Sequence, residues 1–267
     1  MPFCGLSLKQ KRRYLSAFFV FLTPLVSGLP LHADCPRAVL EGGFHAEVSQ
    51  IIDGDTLEIS DGRRVRLIGL NAPELDDSDG NSQPFAAEAG SALARLIKDS
   101  QSRIYLIPGR ETRDRHGRLL AHALDNDGRN LSQSLIREGL AARATVFPND
   151  RFADCYQDAE NQARAERIGL WSAPGFWLID KKPLSRQDRG FYIISDRVES
   201  IGESKKSIWL NLQHGVALRI AREDLKNFPD RDWQALRDRS IEARGWLNYS
   251  QGRHRLRIRG PLNLTVF

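Results

Sequence analysis

Apolar positions along this chain mostly alternate with polar ones, and helical spacing is confined to a few stretches. Val48–Ile52 is apolar and β-branched and breaks at the turn Asp53-Gly54-Asp55. Thr56–Ile59 resumes the strand, Ser60-Asp61-Gly62 reads as a hairpin corner, and Arg64–Leu70 is the return strand. Asn71-Ala72-Pro73-Glu74 ends it, since proline cannot donate to a ladder and restricts the residue before it. After the polar loop Asp76–Gln83, Pro84 opens a helix with Phe85, Ala89, Leu93 and Leu96 on one stripe. Ser102–Ile107 reads as a strand ended by Pro108-Gly109, and Leu119–Leu124 as another, closed by Asp125–Gly128. Asn130 caps a helix from Leu131 that Gly139 terminates. A last helix, about Arg151 to Arg167, places Phe152, Tyr156, Ala159 and Ala163 on one face and ends at Gly169. The pattern is mainly β with helices, an α+β arrangement.

Ser172-Ala173-Pro174-Gly175 reads as a linker. Beyond it, Phe191–Ile201, Ser207–Gln213, Gly215–Ile220, Ser240–Tyr249 and Arg253–Arg259 alternate like strands, while Ala221–Phe228 and Arg231–Leu236 look helical. Three strands, a helical connection and a final hairpin make residues 176–267 resemble an OB-fold domain. Arg253, Arg255, Arg257 and Arg259 fall at period two, so all four face one side while Leu256 and Ile258 face inward. With nearby Tyr249 and Trp246 the stripe is a candidate surface for single-stranded nucleic acid. An edge strand kept soluble by charge is the equal alternative.

Charge and cysteines change the picture. Lys9, Lys11, Arg12 and Arg13 precede an apolar run, Tyr14–Leu31, and Leu31-His32-Ala33, the order of a secretory signal over residues 1–33. The expectation is an exported protein, periplasmic or secreted, with an N-terminal membrane anchor as the alternative. Cys4 would leave with the leader, and Cys35 and Cys155 then form an even pair that points to one disulfide, the alternative being two free thiols. Residues 34–173 hold 17 Lys+Arg against 23 Asp+Glu, a net of −6, and residues 174–267 hold 18 against 11, a net of +7. The field that attracts a polyanion therefore belongs to the C-terminal part.

The candidate chemistry lies in the first hairpins. Asp53 and Asp55 flank a glycine, and a second corner delivers Asn71 and Glu74, a set of hard oxygens suited to a Ca²⁺-like cation. Arg66 adds a planar fork shaped for phosphate oxygens. Ile52-Asp53-Gly54-Asp55-Thr56, then Arg66-Leu67-Ile68-Gly69-Leu70-Asn71-Ala72-Pro73-Glu74, then Asp114-Arg115-His116-Gly117-Arg118 together resemble the staphylococcal nuclease (thermonuclease) family, from about Val48 to Trp171.

The resemblance implies a five-stranded OB barrel over residues 34–173 and hydrolysis of DNA and RNA phosphodiesters, single strands being preferred, by a monomer. It implies that Arg66 and Arg118 clamp the scissile phosphate and that Glu74 activates water. It makes Asp55, Asn71 and the backbone carbonyl of Ala72 ligands of Ca²⁺ or another divalent cation, with Asp53 and Asp114 in support. Much of the family carries aspartate where Asn71 stands, so weaker metal binding is expected. His116 and Thr145 stand where the archetypal member has tyrosines, so base stacking should be weaker. The alternative reading is a non-catalytic nucleic-acid binder with a degenerate nuclease domain.

Overall fold

The computed structural model describes residues 1, 35, 42–75, 82–172 and 177–267. The expected secretory signal beyond Met1, the acidic residues after Leu75 and most of the expected linker lie outside that range.

The first part of the chain runs β1 (Phe44–Ile51), β2 (Thr56–Ile59), β3 (Arg64–Leu67), β4 (Gly69–Asn71), α1 (Ala86–Asp99), β5 (Arg103–Arg113), β6 (Leu119–Leu124), α2 (Leu131–Arg137), β7 (Ala142–Ala144) and α3 (Ala153–Glu166). β1, β2, β3, β6 and β5 close into a barrel in that order, with β3 and β6 parallel and the other pairs antiparallel. Closure leaves no free strand edge. Alternate residues supply its interior: Leu57, Val65, Leu67, Ile104, Leu106, Ala121 and Ala123 are fully buried. Ala89, Leu93 and Ile97 of α1 and Phe152, Tyr156 and Ala159 beside them join the same core. A disulfide joins Cys35 to Cys155 of α3 across a sequence separation of 120, as the even pair of cysteines suggests.

The remainder forms a second barrel of the same topology. β8 (Leu178–Asp180) leads into β9 (Gly190–Glu203), β10 (Ser207–Leu212), β11 (Val216–Ala221), β12 (Ser240–Ser250), β13 (Arg253–Arg257) and β14 (Leu264–Val266). β9, β10, β11, β13 and β12 close by the β12–β9 pairing, again with third and fifth strands parallel. Thus both halves are five-stranded OB-type barrels. Residues 33–267 make one compact unit.

Four sequence expectations need correction. Arg64–Leu70 is not one strand: it breaks at Ile68, and β4 leaves the barrel to pair with β7. Gly69 permits the break, with φ +92°, and a Cβ there would lie 2.0 Å from the Tyr156 ring. β5 does not end at Pro108-Gly109 but bulges through it, with a register shift between Pro108 and Arg113. Pro84 and Phe85 precede α1; Phe85 sits left-handed at φ +69° as its N-cap residue. The two helical stretches of the second barrel are 3₁₀ turns, Arg222–Asn227 and Gln234–Leu236.

The barrels meet through a small apolar cluster and a buried ionic one. Ala142, Ala144 and Leu170 pack with Trp177, Phe191 and Ile193. Glu160 of α3, wholly buried, takes Arg244 Nη1 of β12 at 2.9 Å and Arg164 Nη2 at 3.1 Å, and its Oε2 accepts the Arg143 backbone N–H at 2.8 Å. Arg164 also reaches Glu242 at 2.8 Å. Burial raises the Glu160 carboxyl, but Arg244, Arg164 and Arg143 outweigh it and hold it below the usual range. Burial, and then Arg244, push Arg143 down to about 10.

Candidate active site

The corner between β1 and β2 is built by its own acids. Asp53 Oδ1 accepts the Asp55 backbone N–H at 2.8 Å, and the Thr56 carbonyl accepts the N–H groups of Ile52 and Asp53. Gly54 is needed here because α1 comes down on it: a Cβ would lie 2.6 Å from that of Ala89 and 2.7 Å from that of Ala72. The corner turns Asp55 inward, to 5% exposure.

Register then brings the arginine. Thr56 of β2 faces Arg66 of β3, and Leu67 N–H donates to the Asp55 carbonyl. The Arg66 guanidinium lies 2.8 Å from Asp55 Oδ2, donates 3.1 Å to Asn71 Oδ1, and donates to the carbonyls of Leu67 and Leu70. Those two carbonyls are free for a side chain because the strand breaks between β3 and β4. Ala72 N–H donates to Asp55 Oδ2 at 2.8 Å, and Asn71 Nδ2 donates to the Ala72 carbonyl. Asp55, Arg66, Asn71 and Ala72 are therefore one hydrogen-bonded group.

Arg118 arrives from the neighbouring strand. The start of β6 lies beside β3, and Arg118 Nη1 donates to Thr56 Oγ1 at 3.4 Å. Thr56 Oγ1 in turn donates to Asp55 Oδ1 at 3.1 Å. Asp114 organises the turn: its Oδ1 accepts N–H groups of His116 and Arg118, and its Oδ2 takes Arg118 Nε at 2.7 Å. That aims the guanidinium while leaving its Nη edge toward Thr56.

Glu74 is exposed as a residue, and Gln83 brackets it, accepting its N–H and donating to its carbonyl. Shielding from water and Asp53 raise its carboxyl pKa, against the pull of Arg66 and Arg118. All four groups thus share one electrostatic neighbourhood. Burial, opposed by Arg66 and reinforced by Asp53, pushes Asp55 up to about 7.

Asp55, Asn71 and the Ala72 carbonyl offer adjacent buried oxygens, with Asp53 and Glu74 close by. Among the described residues no trio of His, Cys, Asp or Glu side chains gathers as a metal cluster, so a cation here would have to draw on the amide and the carbonyl as well. Hard oxygens of this kind fit Ca²⁺, with little ligand charge.

Some expected contacts are not formed. Thr145 is buried, and Asn263 donates to its carbonyl from the second barrel, so this position offers no face to a base. In the arginine stripe, Arg253 donates to Asn211, and Arg257 is paired with Glu223 and Asp224. Arg259 is half-buried. Tyr249 pairs in register with His254, which places it on the face opposite Arg253 and Arg255. Trp246 stacks on Phe191. Sequence reading missed Thr56 and Gln83, which look like ordinary polar residues, and the Glu160–Arg244 cluster. The signal for that cluster was present: Glu160 breaks an apolar helix face, and Glu242 and Arg244 interrupt an apolar strand.

Comparison with known proteins agrees with this geometry. The family described as "Staphylococcal nuclease homologue" matches residues 64–173, which include Arg66, Asn71, Glu74 and Arg118 but begin after Asp55. The thermonuclease of Staphylococcus intermedius is 32% identical over 127 residues, 46% of this chain and 74% of that protein. Endonuclease YncB of Bacillus subtilis (strain 168) is 30% identical over 133 residues, 48% of this chain and 62% of the relative. The SPbeta prophage-derived endonuclease YokF of the same organism is 29% identical over 133 residues, 48% of this chain but 44% of its own length. The chain thus spans about half the length of the Bacillus relatives it matches.

Proposed function

This chain belongs to the staphylococcal nuclease homologues, and from that membership we propose that it is an exported, divalent-cation-dependent endonuclease acting on DNA and RNA. The observation that carries the reading is the single hydrogen-bonded group of Asp55, Arg66, Asn71 and Ala72, with Glu74 and Arg118 in the same electrostatic neighbourhood. Arg66 of β3 and Arg118 at the start of the adjacent parallel β6 come from neighbouring strands at one barrel mouth, a placement suited to hold two oxygens of a phosphodiester and to stabilise charge that grows on them. Glu74, with its carboxyl pKa raised, is the group to orient an attacking water and take its proton. Asp55, Asn71 and the Ala72 carbonyl would hold the cation. When bound, it polarises the phosphate and makes the water more acidic. Asp53 and Asp114 set the two corners and position Asp55 and Arg118. The disulfide supports export, because such bonds persist in oxidising compartments.

The test is digestion of single- and double-stranded DNA and of RNA by residues 34–267, with Ca²⁺ or with chelator, beside Glu74→Gln. Cutting that needs the cation and falls ~10²- to 10⁴-fold in the variant is expected. Failure to cut any substrate under any divalent ion would overturn the reading.

A further inference from the structure

The second barrel carries a groove of about 600 Å³ whose lining includes Lys205, Lys206, Trp209, Arg219, Asn248 and Arg255. No carboxylate is among its lining residues. Lys205 and Lys206 stand exposed on the loop between β9 and β10, the first and second barrel strands. Trp209 on β10 is half-buried, directly opposite Arg219 of β11, and the Arg255 guanidinium lies over its ring at 5.2 Å. Arg219 is aimed by a 2.8 Å bond to Ser207 Oγ, and Arg255 by one to Gln251 in the β12–β13 turn. Arg255 Nε is buried without a hydrogen-bond partner. Arg257, also in the lining, spends its charge on Glu223 and Asp224, so the groove's cations without an acid partner among the described residues are Lys205, Lys206, Arg219 and Arg255.

We propose that this groove is a binding site for single-stranded nucleic acid, separate from the hydrolytic site on the first barrel. Cations without acid partners suit a phosphate chain, and a half-buried tryptophan with the Arg255 guanidinium on one side and Arg219 as its register neighbour offers stacking to an unpaired base, a surface that bases paired inside a duplex do not reach. Strands two and three with the first-second and fourth-fifth loops are the part of an OB barrel that can present such a surface. The site takes in part of the period-two arginine stripe: Arg255 and Arg257 line the groove, and of these Arg257 is paired with acids. It deepens the nuclease reading by supplying a place where substrate is held outside the reacting centre.

The experiment measures anisotropy of a labelled oligothymidylate with the two-barrel protein, carrying Glu74→Gln and in chelator so that nothing is cut. Trp209→Ala is expected to raise Kd by ~tenfold or more. Lys205→Ala with Lys206→Ala, exposed and neutral to folding, is expected to lower the slope of log K against log salt by about 1.4, two phosphate contacts' worth. A duplex of equal length should bind more weakly and lose little with Trp209→Ala. Unchanged affinity and slope in both variants would overturn the proposal, as would loss of heparin binding alone with oligothymidylate binding intact. Absence of cutting by the unsubstituted protein while these losses are seen would remove the nuclease reading and leave the groove standing; cutting with no losses would do the reverse.

Discussion

At the scale of single residues, the motifs announced which side chains would gather, and the hydrogen bonds show how. Asn71 gives its oxygen to Arg66 and its amide to the Ala72 carbonyl, a pattern that only an amide satisfies at both ends. Asn71→Asp adds a charge beside Arg66 and Asp55, and Ca²⁺ titration should show tighter binding; unchanged affinity would show that position 71 is not a ligand. His122 was not foreseen to matter. It is buried with Nδ1 2.8 Å from the Tyr156 hydroxyl and stacks edge-on against Phe152. Burial, and then Arg151, push its pKa down from 6.5 to about 3. The unfolded chain binds a proton here near pH 6.5 and the folded chain does so only near 3. The stability held by neutral His122 is therefore full above pH 6.5 and lost as pH falls toward 3, by about 1.4 kcal/mol per pH unit. Urea midpoints between pH 7.5 and 4.5 should fall more steeply for the parent than for His122→Gln; equal slopes would refute this.

At the scale of elements, the sequence placed seven of the fourteen strands within a residue or two, and two of its errors, at Arg64–Leu70 and at Pro108-Gly109, have a common cause. Each of these lies where another element imposes on the backbone. Arg64–Leu70 looks like one strand because its alternation continues through Gly69, yet the Tyr156 ring of α3 occupies the space beside that glycine and the chain turns away. Gly69→Ala therefore meets both a left-handed φ and a ring at 2.0 Å. It should lower stability by about 2–4 kcal/mol in urea unfolding and reduce nuclease activity as well, because the break exposes the carbonyls that hold Arg66. A change under 1 kcal/mol would show that the break has another origin. β5 passes through Pro108-Gly109 for a similar reason: a Cβ at Gly109 would strike the Asn149 side chain, which bonds the Glu111 backbone in both directions.

At the scale of the whole molecule, the barrels are joined by charges in a dry place. Glu160 is wholly buried among three arginines, and Arg244 across the joint is 2% exposed. Such a cluster adds little net stability when complete but is costly to break, since three guanidinium groups would lose a shared buried counter-charge and only Glu242 would remain for Arg244 and Arg164. Glu160→Ala should destabilise by about 3–5 kcal/mol in denaturant, and replacing Glu160 and Arg244 together by apolar residues should recover much of that. A Glu160→Ala protein as stable as the parent would show that the joint is not ionic. Removing residues 176–267 would take Arg244 from Glu160 and the Leu262 carbonyl from Arg143, so point variants are the cleaner probe of the second barrel. The disulfide closes a long loop and constrains the unfolded chain; its reduction is expected to cost about 5 kcal/mol in the chain-entropy model, read as a lower Tm under reductant.

Sequence alone determined the local things: strand alternation, the acid-bearing corners, the cap at Asn130 and the residue types of the proposed site. These depend on neighbours a few positions apart, and the order of the chain records them directly. The tertiary structure decided which arginine meets which acid, where strands break, how Glu160 finds Arg244, and that Trp209 rather than Tyr249 stands between the basic groups. Those outcomes depend on barrel closure and on contacts between residues a hundred positions apart, where small differences in register reverse the face a side chain occupies.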